Sequence, residues 1–222
     1  MADNYLVTGT NRGIGLEYCR QLKAQGHKVI AVCRTPSSEL SALGIQIVVD
    51  IDLTNEADVA RLVIELHGQK IDVLINNAAI VERISLENLD LNSIRRQFEV
   101  NAIAPLHLTN ALLPNLGDGS KVILMTSRMG SIADNTSGSS YGYRMSKVAL
   151  SMAGKSLAHD LKSKGIAVAI LHPGLVKTRM TNFNKSGITT EASVIGLISR
   201  IQELNLKNTG TFWHANGETL AW

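Results

Sequence analysis

Short runs rich in valine and isoleucine alternate with longer stretches of helical period from one end of this chain to the other. That alternation restricts the fold more than any other feature, because it is the pattern of βα units wound into a parallel sheet. The runs predict strands at Tyr5–Thr8, Lys28–Cys33, Gln46–Val49, Val73–Asn76, Lys121–Thr126, Ala167–Leu171 and Thr211–Trp213. Between them, Ile14–Gln25 places Ile14, Tyr18 and Leu22 on one helical face, and Ala57–Leu66 follows Thr54-Asn55 with Glu56 and Asp58 near its start. Acidic residues there complement the helix dipole. Further helices are expected over Ser93–Leu113 despite Pro105, over Ser140–Lys164 with Gly165 as the stop, and over Glu191–Leu206. The expected fold class is α/β, a doubly wound and mainly parallel seven-stranded sheet with helices on both faces and right-handed crossovers.

The length of 222 residues suits one domain over 1–222 with its catalytic residues built in. The net charge is +3 with scattered basic residues and 4% aromatics, which argues against a nucleic-acid partner. No apolar run is long enough to span a bilayer and no leader is evident, so a cytoplasmic protein without a membrane partner is expected. Cys19 and Cys33 lack a Cys-x-x-Cys spacing and read as reduced residues in or near the core; the six histidines stand singly, so no metal site is expected.

Gly9, Gly13 and Gly15 follow the first strand and open the first helix. A tight turn, close backbone approach and free helix amides at that place receive a pyrophosphate, so this is a Rossmann-type dinucleotide loop. The end of the second strand discriminates between the two nicotinamide dinucleotides, since an acid there would repel a 2′-phosphate. Arg34 stands there, and Arg12 in the glycine loop offers a second guanidinium to the same phosphate. NADPH is therefore expected over NADH.

Downstream, Tyr143-Arg144-Met145-Ser146-Lys147 places a phenol and an ammonium four residues apart. On a helix they share a face, where the ammonium is expected to favour the ionised phenol and lower its pKa. Two polar loops, Ser131–Ser139 and a short substrate loop at 179–190, follow strands on the same side of the sheet and are expected to wall the substrate site.

These residues resemble the short-chain dehydrogenase/reductase family over nearly the whole chain. Thr8–Gly15 matches the family's Thr-Gly-x-x-x-Gly-x-Gly loop, Asp52-Leu53 its adenine-contacting pair, and Asn76-Asn77-Ala78 its Asn-Asn-Ala motif. Asn101, Ser127, Tyr143 and Lys147 fall where the family's catalytic tetrad belongs, and Pro173-Gly174 with Thr178 matches the segment lining the nicotinamide. The Ser127–Ile132 stretch and the terminal Trp222 are most similar to the C-factor-like subgroup. The resemblance implies cofactor contacts from Gly9, Asn11, Arg12, Gly13, Ile14, Gly15, Arg34, Asp52, Leu53, Asn77, Ala78, Ala79, Tyr143, Lys147, Pro173, Gly174, Val176 and Thr178. It implies that Ser127 binds the substrate oxygen, Tyr143 donates or accepts the proton, Lys147 holds the nicotinamide ribose and Asn101 anchors a relay water.

Two positions depart from the pattern. Ala79 replaces the usual glycine after Asn-Asn-Ala, and Ser127 precedes Tyr143 by a few residues more than is common, which makes Ser131 a rival serine. Ser127 is preferred because it directly follows its strand; Tyr141 is a weaker rival acid because Met145 offers it no ammonium. The expected function is reduction of a small or medium-sized carbonyl compound, or oxidation of the matching secondary alcohol, by a homodimer or homotetramer. The alternatives are a C-factor-like signalling protein and, third, a tetrapyrrole, flavin or pteridine reductase.

Overall fold

Seven strands pair edge to edge in the order β3-β2-β1-β4-β5-β6-β7, every pair parallel, in a computed structural model that describes residues 2–222. The elements run β1 (Asn4–Thr8), α1 (Gly13–Ala24), β2 (Lys28–Val32), α2 (Ser38–Ser41), β3 (Gln46–Val48), α3 (Glu56–Glu65) and β4 (Val73–Asn76). They continue with α4 (Leu91–Phe98), α5 (Ala104–Ala111), β5 (Lys121–Met125), α6 (Tyr141–Asp160), β6 (Ala167–His172), α7 (Thr190–Glu203) and β7 (Thr211–His214). The order reverses between β1 and β4, which is the Rossmann-type winding and opens a crevice at the carboxyl ends of those strands.

Alternate residues of each strand feed two separate cores. Tyr5 and Val7 of β1, Val29 and Ala31 of β2, and Ala167, Ala169 and Leu171 of β6 pack with Tyr18 and Leu22 of α1 and with Val194, Leu197 and Ile198 of α7. Leu6, Ile30, Leu74, Val122 and Val168 face the other way, against Leu62 of α3, Leu108 of α5 and Leu150 and Leu157 of α6. Both faces of the sheet are dry, which is why its strands read as continuous apolar runs rather than as alternating ones.

The region expected as one helix over Ser93–Leu113 is interrupted. A π turn occupies Glu99–Ile103 between α4 and α5, and a 3₁₀ turn over Leu113–Asn115 ends the stretch. Pro105 has no N–H to return to the carbonyl four residues earlier, that of Asn101, so the ladder widens there instead of continuing. The short helix α2, capped by the Ser37 hydroxyl, escaped the periodicity analysis because four residues carry no period. No helix among the described residues is long and apolar enough to cross a membrane.

Candidate active site

The glycine loop is tied to its neighbours before any ligand is considered. Gly9, at φ +68°, donates its amide to the Val32 carbonyl at 3.0 Å, and the Thr10 hydroxyl donates to the same oxygen at 3.3 Å. A Cβ on Gly9 would lie 2.8 Å from Ala78 Cα, and one on Gly15 would overlap the Gly9 carbonyl. Only glycine permits this fold of the loop. The Asn77 side chain donates to the carbonyls of Thr8 (2.9 Å) and Gly9 (3.3 Å), while the amides of Asn77 and Ala78 donate to the Thr8 hydroxyl. Thr8 and Asn77 thus lock the loop to the end of β4, with Ala79 next in line. Arg12 stands exposed at the start of α1, where no side chain caps the first turn, and Asn11 and Ile14 are half-buried beside it.

At the far end of the crevice Arg34 leaves β2 with three quarters of its side chain exposed, 4.0 Å from the Asp52 carboxylate. Asp52 accepts from both the amide and the hydroxyl of Thr54, and Leu53 packs against the second core.

Tyr143 and Lys147 share the inward face of the first turns of α6, and both are buried. Lys147 Nζ lies 5.8 Å from the centre of the phenol ring and donates to the Met125 carbonyl at 2.8 Å. The expectation that the ammonium lowers the phenol's pKa is not met. Burial pushes Tyr143 up to about 12, offset in part by the neighbouring Ser127 hydroxyl, and burial likewise brings Lys147 down to about 7. A lysine so desolvated carries only part of its charge at neutral pH, so it does little to favour a phenolate. Ser127 ends the loop from β5 and caps the 3₁₀ turn Arg128–Gly130, accepting the Met129 amide at 3.1 Å. The rival Ser131 is buried and accepts from the Asp134 amide, while Tyr141 begins α6 two residues before Tyr143.

Asn101 is wholly buried in the π turn. Its side chain accepts from the Ile80 amide (2.8 Å) and donates to the Ile80 carbonyl (2.9 Å) and to Ser146 (3.0 Å), whose hydroxyl donates to the Tyr143 carbonyl (2.9 Å). The side chain is therefore committed to structure, and what Asn101 can offer a relay is its backbone carbonyl, which Pro105 leaves without an α-helical partner.

The carboxyl ends of β1, β4, β5 and β6 thus gather a phosphate-type glycine loop, a phenol, a buried amine and a serine, the constellation of hydride-transfer enzymes on this sheet. Residues 3–188 match the family described as short chain dehydrogenase. The chain belongs to the short-chain dehydrogenase/reductase family.

Among members of the family, it is 39% identical over 98% of each chain to a 1-hydroxy-2-glutathionyl-2-methyl-3-butene dehydrogenase from Rhodococcus sp. (strain AD45). It is 41% identical to the C-signal of Myxococcus xanthus over 155 residues, which cover 68% of this chain and 93% of that one. Of solved structures, the NADPH-bound carbonyl reductase from chicken fatty liver superposes with a TM-score of 0.89 at 32% identity, covering 100% of this chain and 99% of the other.

The family's Pro-Gly segment leaves β6 and turns back over the glycine loop. The Pro173 carbonyl accepts the Ser193 hydroxyl at 2.7 Å, Val176 is buried and bridges to Ile188, and a Cβ added at Gly13 would meet the Thr178 methyl at 3.6 Å. Gly174 turns at φ +84°, and a Cβ added there would press on the His214 ring at 3.4 Å. Sequence reasoning missed the histidines here: His172 and His214 end adjacent strands in register and meet edge to face at 4.9 Å. Burial, then His214, then Arg128 bring His172 down to about 3, so it stays neutral. The available signal was that each is the last residue of its strand. Among the described residues, no group of three or more His, Cys, Asp or Glu side chains gathers as metal ligands do.

Proposed function

We propose that this family member is an NADPH-dependent carbonyl reductase, able to run in reverse on the matching secondary alcohol. The observation that carries this reading is the buried Tyr143 phenol, with Ser127 beside it and Lys147 beneath its ring. The residues fit a dinucleotide: a Cβ at Gly15 would fill the turn, and Arg12 and Arg34 supply guanidinium forks for a 2′-phosphate. Bound there, NADPH supplies the hydride.

The chain's own residues do the rest. Ser127 holds the substrate oxygen against the Tyr143 hydroxyl, and Tyr143 gives its proton to that oxygen as the carbonyl carbon is reduced. A phenol held near pKa 12 is fully protonated at neutral pH, the state an acid needs. Lys147 grips the ribose hydroxyls, and the Asn101 carbonyl holds a water through which a proton returns. Gly9–Gly15, Asp52-Leu53, Asn77–Ala79 and Pro173–Thr178 hold the cofactor within one folding unit, 1–222. The protein works in the cytoplasm as a dimer or tetramer built on α4, α5 and α6, a reading supported by the exposed Ile103, Leu106, Met145 and Met152 on or beside those helices.

The test is NADPH consumption by wild type and Tyr143→Phe against aldehydes, ketones, diketones, quinones and glutathione-conjugate carbonyls, with cofactor binding measured on the same samples. The last group is included because of what the Rhodococcus relative is named for, and because Lys177, Arg179 and Lys185 place three cations and no carboxylate between Val176 and Thr190. Turnover that vanishes in Tyr143→Phe while binding persists supports the reductase. The similarity to C-signal favours a second reading, a dinucleotide-binding signalling protein; tight NADPH binding without turnover on any of these would point to it.

A further inference from the structure

The loop that joins Ser127 to α6 is held by polar contacts where an apolar core would ordinarily do the work. A pocket of ≈ 180 Å³ lies between it and α6, lined by Met129, Ile132, Tyr141 and Met145 among others, and Ile132 at the loop's crest is 73% exposed. The loop enters α6 through Gly138, Ser139 and Ser140 at φ of +61°, +58° and +52°. Two of these are not glycine, and a side chain is strained in that region, so the conformation persists only where its surroundings impose it.

Two arginines impose it. Arg144, the residue after Tyr143, donates from Nε to the Gly138 carbonyl (3.1 Å), from one terminal nitrogen to the Met129 carbonyl (3.3 Å) and from the other to the Ser137 hydroxyl (2.9 Å). One guanidinium thus spans the two ends of the loop, a task its rigid fork can do and an ammonium cannot. On the opposite side Arg128, next to Ser127, lies between Glu218 (2.8 Å) and Asp134 (3.4 Å), and the Ala133 amide donates to the Trp222 carbonyl at 3.0 Å. The segment after β7 folds back along that strand, with Thr219 bridging Trp213 and the Trp222 ring stacked on Phe212.

We propose that Arg144 and the Arg128–Glu218 pair are positioning groups that hold the 128–140 loop so that the Ser127 hydroxyl stays beside the Tyr143 phenol. Neither touches the reacting atoms; each acts through Ser127. The inference rests on the reductase reading for its kinetic consequence and on geometry alone for the brace itself. The Ser127 contact also lowers the phenol's pKa against the effect of burial, which gives the brace a signature in pH.

The experiment compares Arg144→Met, Glu218→Gln, Ser127→Ala and the double variant Arg144→Met/Ser127→Ala. Arg144→Met is expected to lose about 10- to 100-fold in kcat, the scale of a small misplacement, with the Kd for NADPH unchanged. In alcohol oxidation with NADP+ the rising limb of its pH profile moves to higher pH. In the double variant the loss equals that of Ser127→Ala alone, because the brace has nothing left to position. Losses that multiply in the double variant, or an unmoved pH limb, overturn the proposal. Glu218→Gln alters one exposed side chain and keeps the test open if Arg144→Met does not fold; it is expected to show the same pH shift with a smaller loss. Hydrogen exchange of the 129–138 amides in wild type and variants needs no substrate. Unchanged protection in the variants overturns the brace at any level of activity, whereas faster exchange in the variants beside an inactive wild type upholds the brace and overturns the reductase reading.

Discussion

Lys147 Nζ lies 5.8 Å from the centre of the Tyr143 ring, yet its hydrogen bond goes to the Met125 carbonyl at 2.8 Å. The amine is thus anchored to the end of β5 and reaches the phenol only across the ring face. Its position is fixed by the sheet, and its charge is set by burial, which brings it down to about 7.

Stability should therefore depend on pH through Lys147. In the unfolded chain the amine titrates near its ordinary 10.5, and in the folded chain near 7, so between those values the unfolded state binds the extra proton and stability rises with pH. Urea unfolding of the protein without cofactor should show wild type gaining about 2 kcal/mol over Lys147→Met between about pH 7 and pH 9. Buried Cys19 and Tyr143, both raised to about 12, act oppositely above pH 9, where the folded state holds the extra protons and stability falls. The difference between the two proteins, not the absolute curve, isolates the amine. A flat difference across that window would contradict the burial of its charge.

Arg34→Asp should reverse cofactor choice. The substitution sets a carboxylate beside Asp52, 4.0 Å from the present guanidinium, in the space a 2′-phosphate would take. Loss of a charge-assisted bond and gain of repulsion predict at least about a ten-fold weaker Kd for NADPH, with NADH binding held or improved. Titration of both cofactors into the variant gives the answer, and unchanged preference for NADPH would remove Arg34 from the site.

The legible part of this molecule was the part written in local pattern. All seven strands fall where the valine and isoleucine runs place them, since a strand dry on both faces must be apolar throughout; the ends shift by a residue or so, as at Asn4 and His172. The break at Asn101 was invisible to periodicity because α4 and α5 keep similar faces on either side of a widened turn, although Pro105 marked the spot. For the site, residue types at family spacing located the loop, the phenol and the amine. What spacing could not give was the partner of each side chain: Asn101 spends its amide on Ile80 and Ser146, and His172 meets His214, through contacts made by strand order. The lowered phenol pKa failed for a related reason, since helical spacing reports proximity and says nothing of desolvation.

Asn101→Ala should cost stability before it costs chemistry. It strands the Ile80 amide and carbonyl in a part-buried setting, each worth up to about 1–3 kcal/mol when left unpaired. Chemical denaturation should show a loss of about 2–4 kcal/mol. A loss under about 0.5 kcal/mol would mean that water replaces the side chain at little cost.

Gly9→Ala should weaken the cofactor loop. At φ +68° a Cβ would lie 2.8 Å from Ala78 Cα, so either the loop or the end of β4 must move. The strained backbone predicts about 1–3 kcal/mol of lost stability, and the displaced turn a loss in NADPH affinity beyond what the remaining folded fraction explains. Calorimetric binding at a temperature where the variant is fully folded separates the two.

The contact between Arg128 and Glu218 spans 90 residues of chain and ties the turn beside Ser127 to a segment that leaves the ribosome long after it. During synthesis the glycine loop and its strands emerge and can pair long before Glu218 does. A chain halted after α7 would carry a nearly finished dinucleotide crevice and an unbraced serine. Competence to hold a cofactor therefore precedes competence to use it, and a nascent or clipped chain is biased towards idle binding over premature chemistry.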